Sequence, residues 1–117
     1  MASNDSFLKF RADIRQLAAG ISGRLPEHVN AMIRDELEYG LYDMATTDIA
    51  ATLMREKVPV TREERDTLQR VLFCFRTPME YYPFITHRED VLASLVVRDA
   101  PDRGTPLASI AAHLPGW

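Results

Sequence analysis

The chain has one cysteine, Cys74, so no internal disulfide framework holds it together. That fits a reducing compartment, with Cys74 read as a small buried hydrophobe among Leu72, Phe73 and Phe75. Lysine is limited to Lys9 and Lys57, and 14 basic residues face 17 acids. The resulting net charge of -3 argues against the extended basic footprint of a nucleic-acid binder. No apolar run approaches the roughly 18 residues of a membrane span. The opening stretch, residues 1–15, has acids where a signal peptide needs an apolar core. The expected location is therefore the cytoplasm, away from membranes.

Catalytic and metal-binding patterns are missing too. His28, His87 and His113 stand far apart, and there is no HExxH, paired cysteine, GxGxxG, P-loop or GxSxG. The acidic pairs Glu63-Glu64 and Glu89-Asp90 sit where helix N-termini favour carboxylates. The expectation is a protein that is not an enzyme and uses no metal or cofactor.

What is present is a succession of helices, clearest from Val29 to Phe75. Pro59 cannot continue a helix and disfavours helical backbone at Val58, so the helix before it stops near Lys57. Thr61 followed by Glu64 forms a capping box that starts the next one. Gly40 supplies the left-handed residue that ends another helix, with a restart at Leu41 to Asp43. Upstream, Phe7, Phe10, Ile14, Leu17 and Ile21 form one stripe over Ser6 to Ile21, with Ser3, Asn4 or Asp5 as cap candidates. Val29, Met32, Ile33 and Leu37 give the second helix its buried face. Met44, Ile49, Leu53 and Met54, among Ala45, Ala50 and Ala51, mark a central third helix. Leu68, Val71, Leu72 and Phe75 continue the core in a fourth.

Beyond Thr77-Pro78, the stretch Met79 to Ile85 reads as an aromatic linker. Thr86 to Glu89 offers a second capping box for a fifth helix bearing Val91, Leu92, Leu95 and Val96. The predicted fold is all-α, a compact bundle of four to five short helices with an irregular C-terminal segment. It forms a single domain over 1–117, with 100–117 as a loosely ordered tail unless Trp117 docks.

One surface stands out. Between Asp35 and Asp48 lie five acids (Asp35, Glu36, Glu38, Asp43, Asp48) and no base, with Tyr39 and Tyr42 interleaved. One reading is a solvated helix end followed by the N-terminal charges of the next helix. The other is an acidic, aromatic binding patch, in which carboxylates steer a basic partner and tyrosines supply contact area.

The run Asp35-Glu36-Leu37-Glu38-Tyr39-Gly40-Leu41-Tyr42-Asp43-Met44-Ala45, then Ile49-Ala50, Leu53, Val58-Pro59-Val60-Thr61 and Glu64, resembles the small helical immunity proteins of bacterial polymorphic toxin systems, including the MafI-like type. Tyr42 and Asp43 replace the aliphatic-then-Glu pattern commoner there. The resemblance implies a cytoplasmic antitoxin that binds a cognate toxin domain and occludes it without catalysis. Carried over to this sequence, it implies toxin contacts at Asp35, Glu36, Glu38, Tyr39, Tyr42 and Asp43. A second contact is expected from the C-terminal segment Tyr81 to Arg98, with Tyr81 and Tyr82 as its named residues. The competing class is a non-catalytic helical adaptor or homodimeric regulatory module, which the methionines and the small-residue third helix would serve. A helix-turn-helix regulator is disfavoured, because neither candidate recognition helix is basic enough.

Overall fold

The computed structural model describes residues 2–99. The expected tail over 100–117, its Trp117 anchor and His113 lie outside the described residues. Among the described residues there are six helices: α1 (Ala2–Ile21), α2 (Glu27–Glu38), α3 (Tyr42–Arg55), α4 (Arg62–Leu72), α5 (Pro83–Thr86) and α6 (Arg88–Ser94). A turn of 3-10 helix (Ser22–Arg24) joins α1 to α2. Two short strands, β1 (Pro59–Val60) and β2 (Val96–Val97), pair in parallel with Pro59 opposite Val96. The all-α bundle expected from periodicity is the fold observed.

The core gathers Ile14, Leu17 and Ile21 of α1 with Ile49 and Leu53 of α3, Leu68 and Leu72 of α4, and Ile85 of α5. Packing is most extensive between α1 and α4, while α3 touches α1, α2, α5 and α6. The central place of α3 follows from Ala45, Ala50 and Ala51, all buried, which let neighbouring backbones approach.

Both internal joints close with the same hydrogen-bond pattern. At the end of α2 the Gly40 N–H donates to the Leu37 carbonyl (3.2 Å) and the Leu41 N–H to the Glu36 carbonyl (2.8 Å), with Gly40 at φ +73°. At the end of α3 the Lys57 N–H meets the Met54 carbonyl (3.4 Å) and the Val58 N–H the Leu53 carbonyl (3.1 Å). Here Lys57 itself takes the left-handed position, at φ 52°. Proline ends the helix as expected, but the turn uses a lysine where glycine is the usual occupant.

Arg24 ties three elements together. Its guanidinium forms a bidentate pair with Glu64, both bonds at 2.8 Å, and donates to the carbonyls of Gly20 and Pro59, each also at 2.8 Å. Positive charge thus sits at the C-terminal end of α1 and negative charge in the first turn of α4, as both helix dipoles favour. Glu64 simultaneously completes the capping box, accepting from the Thr61 N–H at 2.9 Å while its own N–H donates to the Thr61 hydroxyl. A Cβ on residue 20 would lie 3.3 Å from Glu64 Oε2, so glycine keeps α1 close to the clamp. A second clamp joins the same helices: Asp13, buried, accepts from Arg70 and Lys9.

Several sequence expectations change. α1 begins at Ala2, so Ser3, Asn4 and Asp5 lie within the helix rather than capping it. Phe7 (48% exposed), Met32 and Met44 lie outside the core. Cys74 is exposed, with its thiol donating to the Arg70 carbonyl, rather than buried. Thr86 does not cap α6: its hydroxyl accepts from the Met79 N–H and donates to the Met79 carbonyl, closing the loop before α5. α6 stops at Ser94, and Leu95 and Val96 leave the helix because Val96 pairs with β1. The Arg98 N–H then bonds the Val60 carbonyl at 2.7 Å.

Lys57→Gly should raise stability by about 1 kcal/mol and Gly40→Ala lower it by about 1–2 kcal/mol, read as opposite shifts of the urea midpoint at constant slope. Only Tyr42, at 3.9 Å, faces a Cβ on residue 40, so the second cost lies in the backbone rather than in a clash. Arg24→Ala should cost about 2–3 kcal/mol at neutral pH by stranding Glu64. The Arg24 hydrogen bonds, outweighing burial, hold Glu64 below its ordinary value of 4.5. Its contribution is therefore complete above that value and is lost as pH falls through the lowered one, so the gap between wild type and Arg24→Ala should close in acid.

Candidate functional site

The joint between α2 and α3 departs from the charge placement at the facing ends of α1 and α4. The last turn of α2 carries Asp35, Glu36 and Glu38 and no base, which places negative charge at the negative end of the helix. The nearest compensation is Arg15, whose guanidinium reaches the Leu37 carbonyl only at 3.5 Å. Among the described residues, no ion pair involves Asp35, Glu36, Glu38, Asp43 or Asp48. Asp43, in the first turn of α3, complements that helix and accepts from the Met44 N–H at 2.8 Å.

The eight residues singled out by sequence separate into three kinds. Asp35, Glu38 and Tyr39 are exposed, the tyrosine at 75%, and Tyr81 is exposed at 81%. Tyr42 is half-buried and packs edge-on against Phe7 (centroids 5.8 Å) and Phe10 (5.5 Å), so it holds α3 to α1 rather than facing outward. The third kind lies inside the joint. Glu36 is buried, only 6% exposed, while Asp43 and Tyr82 are half-buried.

Folding brings Tyr82 from the segment before α5 to the carboxylate of Asp43, with Asp48 and Glu36 close behind. Partial loss of solvent and these carboxylates push the Tyr82 hydroxyl up. Asp48 is thus a member of the inner group, which the sequence reading counted among the acids without assigning it a contact. The burial of Glu36 had a signal: it stands three residues after Ile33 and one before Leu37, on the apolar stripe of α2.

Glu36 is the most perturbed group of the site. Loss of solvent, then a proton shared with Asp48 and the charges of Asp48, Asp35 and Asp43, push its carboxyl up to about 8. Its Oε1 is buried and has no hydrogen-bond partner among the described residues. At neutral pH the raised value keeps the proton on Glu36, and among the described residues no cation pairs with it or with Asp48. No group of three or more His, Cys, Asp or Glu side chains among the described residues is arranged to hold a metal ion. Nor is any helix among them long and apolar enough to cross a membrane. Compared with models of known protein families, with curated proteins and with solved structures, the chain matches none.

The shift of Glu36 fixes a pH dependence. Its folded value is raised, so the stabilisation by the protonated form is complete below the ordinary value of 4.5 and is lost as pH rises to about 8. Glu36→Gln should remove this slope and leave the variant more stable than wild type by about 1–3 kcal/mol at the alkaline end, measured by denaturant unfolding across that range.

Proposed function

We propose that the chain is an immunity protein: it binds a cognate secreted bacterial toxin domain in the cytoplasm and neutralises it by steric occlusion, without catalysis. The observation that carries this reading is the concentration, on one joint, of carboxylates with no ion-pair partner among the described residues, rimmed by the exposed ring of Tyr39. Uncompensated acids on a chain of net charge -3 steer a basic surface and accelerate encounter. Exposed tyrosines then give contact area at low entropic cost and slow dissociation. The resemblance in the α2–α3 and β1–α4 joints points the same way. Glu38, Asp35, Tyr39 and Tyr81 are the outward contact residues in this reading, with Tyr42 a support.

A homodimer is the second reading, favoured by an apolar groove of about 340 Å³ lined by Ser6, Phe7, Phe10, Cys74 and Phe75. In that arrangement a second copy covers Phe7 and the acidic joint stays free.

The deciding experiment identifies a large secreted protein encoded beside the gene, co-expresses its C-terminal domain with the chain, and scores survival and complex size; the absence of any such neighbour would itself count against the immunity reading. Rescue with a one-to-one complex is expected, and Glu38→Lys, Tyr39→Ala and Tyr81→Ala should each weaken binding by about tenfold or more. Tyr42→Phe, which keeps the ring packing, should bind like wild type. Absence of both rescue and complex overturns the immunity reading. Elution of the chain alone at twice its mass, abolished by Phe7→Ser, would then establish the homodimer.

A further inference from the structure

Between α1 and α2 the helices part and leave an open cleft of about 520 Å³. It exists because α1 presents Ala18 and Ala19 there, side chains too short to fill the space above the buried Ile33 and Leu37 of α2. Bonds between the two walls bound it at both ends. The Asn30 side-chain amide donates to the Ser22 carbonyl at 2.7 Å at one end, and the Arg15 guanidinium reaches the Leu37 carbonyl at 3.5 Å at the other. About two helical turns separate Asn30 from Leu37, which makes the cleft roughly 10 Å long.

Two cations line it, Arg15 from α1 and Arg34 from α2, and neither is well engaged. The bond from Arg15 to Leu37 is at the outer limit of hydrogen-bonding distance, and among the described residues Arg15 has no ion pair. Arg34 meets Glu27 at 3.7 Å with both side chains mostly exposed, a pair that contributes little. Arg24, by contrast, makes four bonds of 2.8 Å. Positive charge with donors to spare thus stands over an apolar floor.

We infer that this cleft binds a small organic acid, a single carboxylate joined to a compact apolar body. The Arg15 guanidinium receives the carboxylate, since its planar fork matches both oxygens. The body lies along Ala18 and Ala19 over Ile33, and Arg34 adds attraction from the α2 wall. The volume and the mixture of apolar floor with a few polar groups are those of small-molecule sites. Because both ends are bridged, an extended peptide has no path through, which favours a free acid over a chain. Glu38, at the Arg15 end, opposes an anion and tempers the affinity. The inference does not rest on the function proposed above.

The test follows the backbone amides of the intact chain by NMR during titration with 3-phenylpropionate. Saturable shifts are expected around residues 15–22 and 30–38, with a Kd of about 1 mM. The neutral 3-phenylpropanamide and a tetrapeptide ending in phenylalanine should each bind about tenfold more weakly. Arg15→Ala should weaken binding by about tenfold and Arg34→Ala by about threefold, while Glu38→Gln should tighten it by about threefold. Ala19→Leu should fill the cleft and abolish binding without lowering the urea midpoint, because Ala19 is an exposed helical position that leucine tolerates. No saturable shift at these amides, binding that survives Arg15→Ala and Ala19→Leu, or equal affinity for the acid and its amide or for the acid and the tetrapeptide would overturn the inference. None of these measurements uses a toxin, so this inference and the immunity reading fail separately.

Discussion

The fold depends on one charged side chain that serves two helix ends at once. Arg24 leaves the 3-10 turn after α1, accepts the role of cap for the Gly20 carbonyl, and grips Glu64 in the first turn of α4. Its bond to a third partner, the Pro59 carbonyl, fixes the segment that precedes α4. The α1–α4 contact, the most extensive among the described residues, is therefore registered at one end by a partly buried ion pair that uses both Glu64 oxygens. Such a pair is worth more as a device for alignment than as raw stabilisation, since both ions lost solvent to form it.

The other end of that contact follows the same logic. Loss of solvent alone would raise Asp13, but hydrogen bonds and charge from Arg70 and Lys9 outweigh it and hold the carboxyl below its usual range. At the end of α4, Arg88 donates to the Leu72 carbonyl (3.2 Å) and the Phe75 carbonyl (3.0 Å) while its guanidinium lies 4.0 Å from the centre of the Phe73 ring. The C-termini of α1 and α4 each thus receive an arginine from the next part of the chain, as the helix dipole favours.

Much of this was legible in the sequence, and the limits have physical reasons. Periodicity and punctuation located the helices from Val29 to Phe75, the Gly40 turn and the Thr61–Glu64 box, because those signals act within a few residues. The partners of Glu64 and Asp13 were not legible. Arg24 lies 40 positions from Glu64, and nothing local marks a surface-looking arginine as a clamp. The second capping box failed because Thr86 spends its hydroxyl on Met79, a competition that only the loop geometry reveals. At the site, the acids themselves were plain in the sequence, but their division into an exposed rim and a buried centre was not. That division required knowing that Tyr82 folds onto Asp43 and that the stripe of Ile33 and Leu37 carries Glu36 inward.

Set beside the arginine-capped ends of α1 and α4, the end of α2 is the exception that asks for a reason. Three acids in its last turn oppose the helix dipole, and a carboxyl is buried among other carboxyls where a leucine would serve the core better. Local rules are broken in this way where function sets the residue rather than stability. Under the proposed function the arrangement has a use, since carboxylates with no ion-pair partner among the described residues attract a basic surface. An exposed carboxylate such as Glu38 offers steering at long range but little net energy on contact. The two kinds of acid in this joint therefore differ in what they govern: under the proposed function the rim steers a basic partner, while the buried Glu36 makes the stability of the joint depend on pH.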